Sequence, residues 1–296
     1  MAANDPAFLV SKAEERYSDR LDEIAERIFS DREKRIVMLA GPSASGKTTT
    51  AGLIASRLES RGAKAFTVSL DDFYHDQRDA ILDENGKPDY ETVNALNIAL
   101  IDSCLEDIIK NGTTRLPHFD FVSGRRSGFS DPITLGKDDV LIVEGIHALN
   151  DVIVGKNPKA FKLYIAARSN VVDEDGAVVF QHPWLRLCRR IVRDYKFRGS
   201  DANFTLKMWP NVRRGEKLYI SPYKENADLM FDSSLPDEVA VLKPFVVPLL
   251  EALPQGKYEI ADDILRGFER IEIMEESNIA PSSLVREFIG GSIYPS

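Results

Sequence analysis

Apolar residues follow two rhythms along this chain. Four short continuous runs, "RIVMLAG" (35–41), "KAFTVSL" (64–70), "DVLIVEG" (139–145) and "FKLYIAA" (161–167), have the pattern of strands buried on both faces of a parallel sheet. "ADLMFDSS" (227–234) offers a further short strand. The second rhythm has steps of three and four. In residues 11–30 it brings Ala13, Tyr17, Leu21, Ile24 and Ile28 onto one stripe, with charges opposite and Ser11–Glu14 matching a capping box. Helices are also predicted from Thr48 to Ser60, over 91–110 with Leu96, Leu100, Ile101, Cys104, Leu105 and Ile108 on one face, over 184–199 with a basic face, and over 236–253. The segment 201–226 is polar and rich in Lys and Arg. Strand–helix–strand from 35 to 70 is a βαβ unit. Neither an internal repeat nor a low-complexity tract interrupts the alternation. It predicts an α/β fold, doubly wound on a mainly parallel sheet, with helical additions at the N- and C-terminal ends.

One junction carries chemistry. "GPSASGKT" (41–48) matches G-x-x-x-x-G-K-[ST], directly after a predicted strand and opening a predicted helix. Gly41 and Gly46 let the backbone turn tightly around a phosphate. The exposed N–H groups and the helix N-terminus form an anion site. Lys47 adds a point charge on the β- and γ-phosphates, and the Thr48 hydroxyl is a ligand for Mg²⁺. With Ser43, Ala44, Ser45 and Thr49 these residues make the expected ATP-binding loop of a P-loop NTPase-type fold. A second acid for the metal belongs at the end of a neighbouring strand, and "LIVEG" supplies Glu144.

A nucleoside triphosphate needs something to accept its phosphoryl group. The strand after the P-loop helix ends in "SLDDFY" (69–74), two acids and then two aromatics. An acceptor hydroxyl needs a positioned carboxylate. Asp71 is therefore a candidate base, and Phe73 and Tyr74 are candidate walls for a flat or sugar-like substrate. Cations should close over the transferring group. "RRIVRDYKFRG" places Arg189, Arg190, Arg193 and Lys196 on one helix, with Arg198 at its end.

Bulk composition narrows the classes. The 296 residues allow a full core, and Lys+Arg 38 against Asp+Glu 47 gives a net charge of −9, poor for general binding of nucleic acid or anionic membrane. The two cysteines, Cys104 and Cys188, lie among apolar helical neighbours and read as reduced thiols of a cytoplasmic protein. No signal peptide is expected at "MAANDPAFLV", and no apolar run approaches the ~20 residues that span a bilayer.

Taken together, "GPSASGKTTT", "SLDDFY", "PHFDFVSGRR" (117–126), "LIVEGIHALN" (141–150) and "RLCRRIVRDYKFRG" (186–199) resemble the uridine kinase and phosphoribulokinase family over roughly residues 35–235. "MWPNVRRGEKLYISPYKENADLMFDSSL" (208–235) and "SSLVREFIGGS" (282–292) look like a bacterial uridine-kinase-like branch. The resemblance implies Asp71 as general base on a 5′-hydroxyl, Tyr74 in the nucleoside site, and Glu144 linked to the metal. It also implies Arg193 and Arg198 on the phosphates, and Arg190 and Glu91 on sugar hydroxyls. The sequence departs from the family in three places. A base-contacting His is replaced by Gly124, followed by Arg125 and Arg126; a tyrosine that helps hold the base is Phe119; a second lid arginine is Ser200. Phe119, Arg125 and Arg126 are thus candidate acceptor contacts of altered character.

The expected organisation is an N-terminal amphipathic helix over 1–34, a P-loop kinase domain over 35–255 with a helical lid at about 185–226, and a C-terminal extension over 256–296. The expected function is a Mg²⁺- and ATP-dependent small-molecule kinase with uridine or cytidine as default acceptor. Its partners would be ATP and a small hydroxylated substrate, with no nucleic acid or membrane and with self-association left open. A sugar, sugar phosphate, polyol or pantothenate is the alternative acceptor. A nucleotide-dependent switch with degraded activity is the alternative of another class.

Overall fold

The computed structural model describes residues 5–31, 33–82, 86, 89–121 and 123–294. The chain opens with α1 (Pro6–Ser30), β1 (Ile36–Ala40), α2 (Lys47–Ser60) and β2 (Ala65–Ser69). Then come α3 (Ile98–Asn111), β3 (Thr113–Thr114), β4 (Pro117–Asp120), β5 (Arg125–Phe129), β6 (Ile133–Thr134) and β7 (Val140–Gly145). After α4 (Asp151–Val154) follow β8 (Phe161–Ala166), β9 (Val171–Val172), β10 (Val178–Phe180), α5 (His182–Phe197) and α6 (Ala202–Gly215). The chain closes with β11 (Leu229–Asp232), α7 (Glu238–Glu251), α8 (Glu259–Glu269) and α9 (Arg286–Ile289).

The central sheet has the order β11-β8-β1-β7-β2, with every pair parallel. Strands β1, β7 and β8 are almost wholly buried, as their unbroken apolar runs require. One face of the sheet packs under α1, α2, α5 and α7, and the other under α3 and α4. Register sets Glu144 of β7 beside Leu39 of β1 and Ser69 of β2. The phosphate-loop motif, Glu144 and the "DDFY" turn therefore leave the sheet together at its carboxyl edge, where α/β sheets place ligands.

Helix α1 starts earlier than the Ser11–Glu14 pattern predicts. Asp5 is its cap, accepting the Phe8 N–H at 2.9 Å, and a proline occupies the first turn, where it displaces no helical hydrogen bond. Its buried stripe lies on α2, with Tyr17 edge-on to Phe231 at 5.1 Å between ring centres. Helix α3 begins later than predicted. Asn97 caps it by accepting the Leu100 N–H at 3.1 Å, while Leu96 pairs with Tyr74 in an isolated antiparallel bridge. Beyond α7, α8 packs on α7 and β10, and Ile279, Leu284, Val285, Phe288 and Ile289 enter the same core as α1, α2 and α5. Among the described residues no helix is long and apolar enough to cross a membrane.

Candidate active site

The loop between β1 and α2 is shaped from behind. Gly41 is obligatory, because a Cβ there would lie 2.1 Å from the Ile165 carbonyl oxygen. Gly46 caps α2 in the left-handed region at φ +85°, and Ala44 holds φ +59°. The loop's carbonyls are tied on the outside. Arg186 Nε donates to Ser43 O at 3.1 Å, Arg189 Nη1 to Ala44 O at 3.1 Å, and Ser233 Oγ to Ser45 O at 2.7 Å. In a trans peptide the next N–H points opposite to the carbonyl, so the N–H groups of Ala44 and Gly46 face the concave side. The loop thus has the form of an anion nest, fixed by the bonds to its own carbonyls.

Charged groups line the mouth. Burial pulls the Lys47 ammonium below its ordinary value, against the opposing pull of Glu144, Asp71 and Glu287. Glu144 is 5% exposed, and its carboxyl is pushed up to about 7 by burial, with Lys47 opposing and Asp71 adding to the rise. The Thr48 hydroxyl donates to Glu144 at 3.2 Å, so the two expected metal ligands are adjacent. Among the described residues no three His, Cys, Asp or Glu side chains form a metal cage. A Mg²⁺ shared with phosphates and water needs only one or two protein oxygens, so a hydroxyl beside a carboxylate fits that ion.

The two acids of "SLDDFY" have separate roles. They leave β2 in a 3₁₀ turn, Leu70–Phe73, opened by Ser69, whose hydroxyl accepts the Asp71 N–H at 3.3 Å. Asp72 turns to the β4–β5 hairpin, accepting the Phe119 N–H at 3.0 Å beside His118 Nδ1 at 3.4 Å. The Asp71 carboxylate has no hydrogen bond to a described residue and acts electrostatically on Lys47, Glu144, Tyr74, Glu91 and Arg198. Glu91, pushed up to about 7 by burial with Arg190 opposing, approaches from the loop before α3. A Cβ on Gly215, at the end of α6, would lie 2.3 Å from the Glu91 Cβ, so only glycine lets the two segments meet this closely.

Helix α5 sorts its arginines by face. Arg190 donates to Ser43 Oγ at 3.0 Å, and Arg193 lies within electrostatic reach of Lys47. Asp194, 4% exposed, holds three of them together: Arg193 Nη2 at 2.7 Å, Arg190 Nε at 3.3 Å and Arg198 Nε at 4.0 Å. Arg189, expected among the closing cations, is corrected. It is fully buried, paired to Glu238 with Nη2–Oε2 at 2.6 Å, and serves the back of the phosphate loop.

The acceptor side is aromatic. Tyr74 is buried and donates its hydroxyl to Tyr90 O at 3.1 Å. Its ring lies 6.0 Å from Tyr90, 6.0 Å from Phe119 and 6.4 Å from Phe121, and the last of these is 60% exposed. Gly124 holds φ +65° in the hairpin turn, and a Cβ there would meet the Gln77 side chain at 2.7 Å. A side chain at this position would sit in a strained backbone conformation and would have to move Gln77. Arg125 is exposed on β5, and Arg126 acts electrostatically on Cys104 of α3. The Arg126 backbone N–H is donated to Asp76 at 3.0 Å, which ties β5 to the turn after Tyr74.

A family model, Phosphoribulokinase / Uridine kinase family, matches residues 36–240. The chain belongs to that family. As such it is a kinase, a phosphotransferase with an alcohol group as acceptor. A curated uridine kinase of Staphylococcus aureus (strain JH9) is 30% identical over 207 residues, covering 70% of this kinase and 91% of the relative. Two solved structures share the fold. A provisionally named fructose transport system kinase from Silicibacter sp. TM1040 has a TM-score of 0.53 at 18% identity, covering 71% of this chain and 98% of its own. A provisionally named uridine kinase from Bacillus stearothermophilus has a TM-score of 0.50 at 16% identity, covering 72% and 98%.

Three residues of this kinase's site escaped sequence reading. Asp194 leaves a sequence signal, since 190, 194 and 198 stand at helical spacing. His147, three residues past Glu144, is buried and its pKa is pushed down to about 4 by burial, so it is neutral at the back of the Glu91 loop. Glu287 accepts the Thr49 N–H at 3.2 Å from 238 positions away, and no local pattern announces that contact.

Proposed function

We propose that this kinase transfers the γ-phosphoryl group of Mg²⁺-ATP to a primary hydroxyl of a small nucleoside-like acceptor. The observation that carries the reading is the position of Asp71. It is the one carboxylate of its pair left without a hydrogen bond to a described residue, and its charge acts on both Lys47 and Tyr74. In this reading backbone N–H groups between Ser43 and Thr49 and the Lys47 ammonium hold the nucleotide phosphates, with Ser43, Ala44, Ser45 and Gly46 forming the nest. Bound Mg²⁺ would sit on the Thr48 hydroxyl and the Glu144 carboxylate and neutralise charge on the β- and γ-phosphates. Asp71 accepts the proton of the attacking hydroxyl. Arg193 and Arg198, oriented by Asp194, meet charge that grows on the transferring group. Glu91 and Arg190 face sugar hydroxyls, and Tyr74, Phe119 and Phe121 give a ring something to stack on.

The acceptor pocket supports stacking more than edge recognition. Phe119 has no hydrogen-bonding group, and Gly124 has no side chain. Discrimination of ~10⁴ comes from sites that hydrogen-bond the substrate's polar edge. Nucleoside selectivity is therefore expected to be shallow, with uridine and cytidine first among several acceptors. The test is kcat/KM for uridine, cytidine, inosine, ribose, a pentose phosphate and a polyol. Turnover on sugars or polyols with none on any nucleoside would replace the acceptor class. Wild-type turnover by a folded Lys47→Ala variant would overturn the phosphate-site assignment itself.

A further inference from the structure

We propose that residues 281–292 form a latch on the nucleotide site, in which the Glu287 carboxylate competes with nucleotide phosphate for the N-terminus of α2. The inference rests on the reading of residues 41–49 as a phosphate cradle. Helix α2 has four leading N–H groups without an intrahelical acceptor, those of Gly46, Lys47, Thr48 and Thr49, because the first helical bond runs from Thr50 N to Gly46 O at 3.0 Å. Phosphates bind P-loops through such donors. The Thr49 N–H is already given to Glu287 Oε2, in a buried bond of 3.2 Å.

A carboxylate is the side-chain group most like a phosphate edge. It is anionic, accepts charge-assisted bonds from backbone N–H, and gains from the helix dipole. Glu287 is 9% exposed, and its charge reaches both Lys47 and Glu144. A phosphate at Thr49 and the Glu287 carboxylate require the same donor, and two anions so close repel each other in a site with little solvent. Nucleotide entry must displace the carboxylate.

The segment that delivers it is built against the loop. Leu284 is fully buried, and a Cβ on Gly46 would lie 2.4 Å from its Cδ1, so the apolar foot of the latch stands on the loop's second glycine. Phe288 lies under the Arg189 guanidinium at 5.0 Å, and Lys196 Nζ donates to Ile289 O at 2.6 Å. Arg286 Nη2 donates to Ile279 O at 2.7 Å and to Glu276 O at 2.8 Å, fastening the segment to the turn before it. Arg189 and Lys196 both belong to α5, which also carries Arg190 and Arg193. The latch and the phosphate-facing arginines therefore hang from one helix. We infer that nucleotide arrival expels Glu287 and loosens the turn at 286–289.

The experiment is ADP binding by calorimetry to the full chain, comparing wild type, Glu287→Gln and Glu287→Ala, with thermal melts to show that each variant is folded. Removing the competing charge should tighten ADP binding, and Glu287→Ala should do so on the order of tenfold. Affinities equal to or weaker than wild type in both folded variants would overturn the latch while leaving the cradle intact. An absence of ADP binding in all three proteins would remove the cradle and the latch together. Should neither variant fold, hydrogen exchange of the wild type decides. ADP should protect amides 46–50 and speed exchange at 286–290, whereas protection of both segments would make the C-terminal turn part of the bound site and end the proposal.

Discussion

The two halves of the site are built from different materials. The phosphate half is backbone, and its carbonyls are tied from behind by Arg186, Arg189 and Ser233. Its chief support is an ion pair, Arg189–Glu238, with both side chains fully buried. The acceptor half is side chain, carried on a two-stranded hairpin and the loops around it, with Tyr90 41% and Phe121 60% exposed. A nest made of peptide groups can recognise only what every nucleotide has in common. A wall of side chains on a surface hairpin can change its ligand without disturbing the nest. The difference explains why family membership fixes the phosphoryl chemistry here and leaves the acceptor to be measured.

The sharpest test of the division lies where the halves meet. Asp71→Asn should lower kcat by ~10²–10⁴-fold while ADP affinity stays near wild type, since an amide cannot take the proton. Steady-state kinetics beside calorimetry checks this, and a silent Asp71→Asn with a damaging Asp72→Asn would exchange the roles of the two carboxylates. On the rigid side, Arg189→Met should cost about 3–5 kcal/mol of folding stability in urea titrations, because it leaves Glu238 buried without a partner. Arg190→Met, one residue on and facing the site, should cost far less stability and raise KM instead. Equal losses would mean that the helix does not sort its arginines by face. On the adaptable side, Phe121→Ala should raise KM for uridine by about five- to tenfold with kcat nearly unchanged, the size of one lost aromatic contact. A polyol acceptor should not notice the change.

The smallest expected effect concerns pH and a group outside both halves. Asp237 is fully buried, neither carboxyl oxygen has a hydrogen-bond partner in the structure, and burial pushes its pKa up to about 7 from an ordinary 3.8. The folded protein thus keeps a proton that the unfolded chain releases, and stability is lost as pH rises through the window from 3.8 to about 7. Asp237→Asn removes that loss. Its melting curve should coincide with wild type near pH 4 and lie a few degrees higher at pH 8, with nucleotide affinity unchanged. A lower melting temperature at pH 8 would show that the ionised carboxylate is stabilised in the fold.

Much of the phosphate half was legible because its physics is local. Residues 35–48 contain the strand, the glycines, the lysine and the hydroxyl in one stretch, and burial on both faces makes each sheet strand an unbroken apolar run. The β4–β5 hairpin was not legible. Its residues alternate poorly, and it is held from outside by Asp72 at Phe119 N and by Asp76, which accepts the Arg126 N–H at 3.0 Å. The start of α3 is hidden in the periodicity, because Leu96 continues the helical stripe while pairing with Tyr74. The arginines of α5 look alike in sequence, and which one turns inward is decided by Glu238, 49 positions away from Arg189. Three-dimensional partners of this kind leave no periodicity to find.

The one-residue step from Asp71 to Asp72 acts as a ruler. In a 3₁₀ turn each residue rotates about 120° from the last, so neighbours face different ways while their Cα atoms stay about 3.8 Å apart. One neighbour stands within electrostatic reach of Lys47, and the other grips the hairpin that carries Phe119 and Phe121. The offset between the two carboxylates is thus fixed by covalent geometry, and the hydrogen bond from Phe119 N to Asp72 carries it to the hairpin. That hairpin can vary in sequence while its root stays tied to the residue next to Asp71. A single inserted residue in the turn would do what no substitution on the hairpin can, and exchange the directions in which the two carboxylates face.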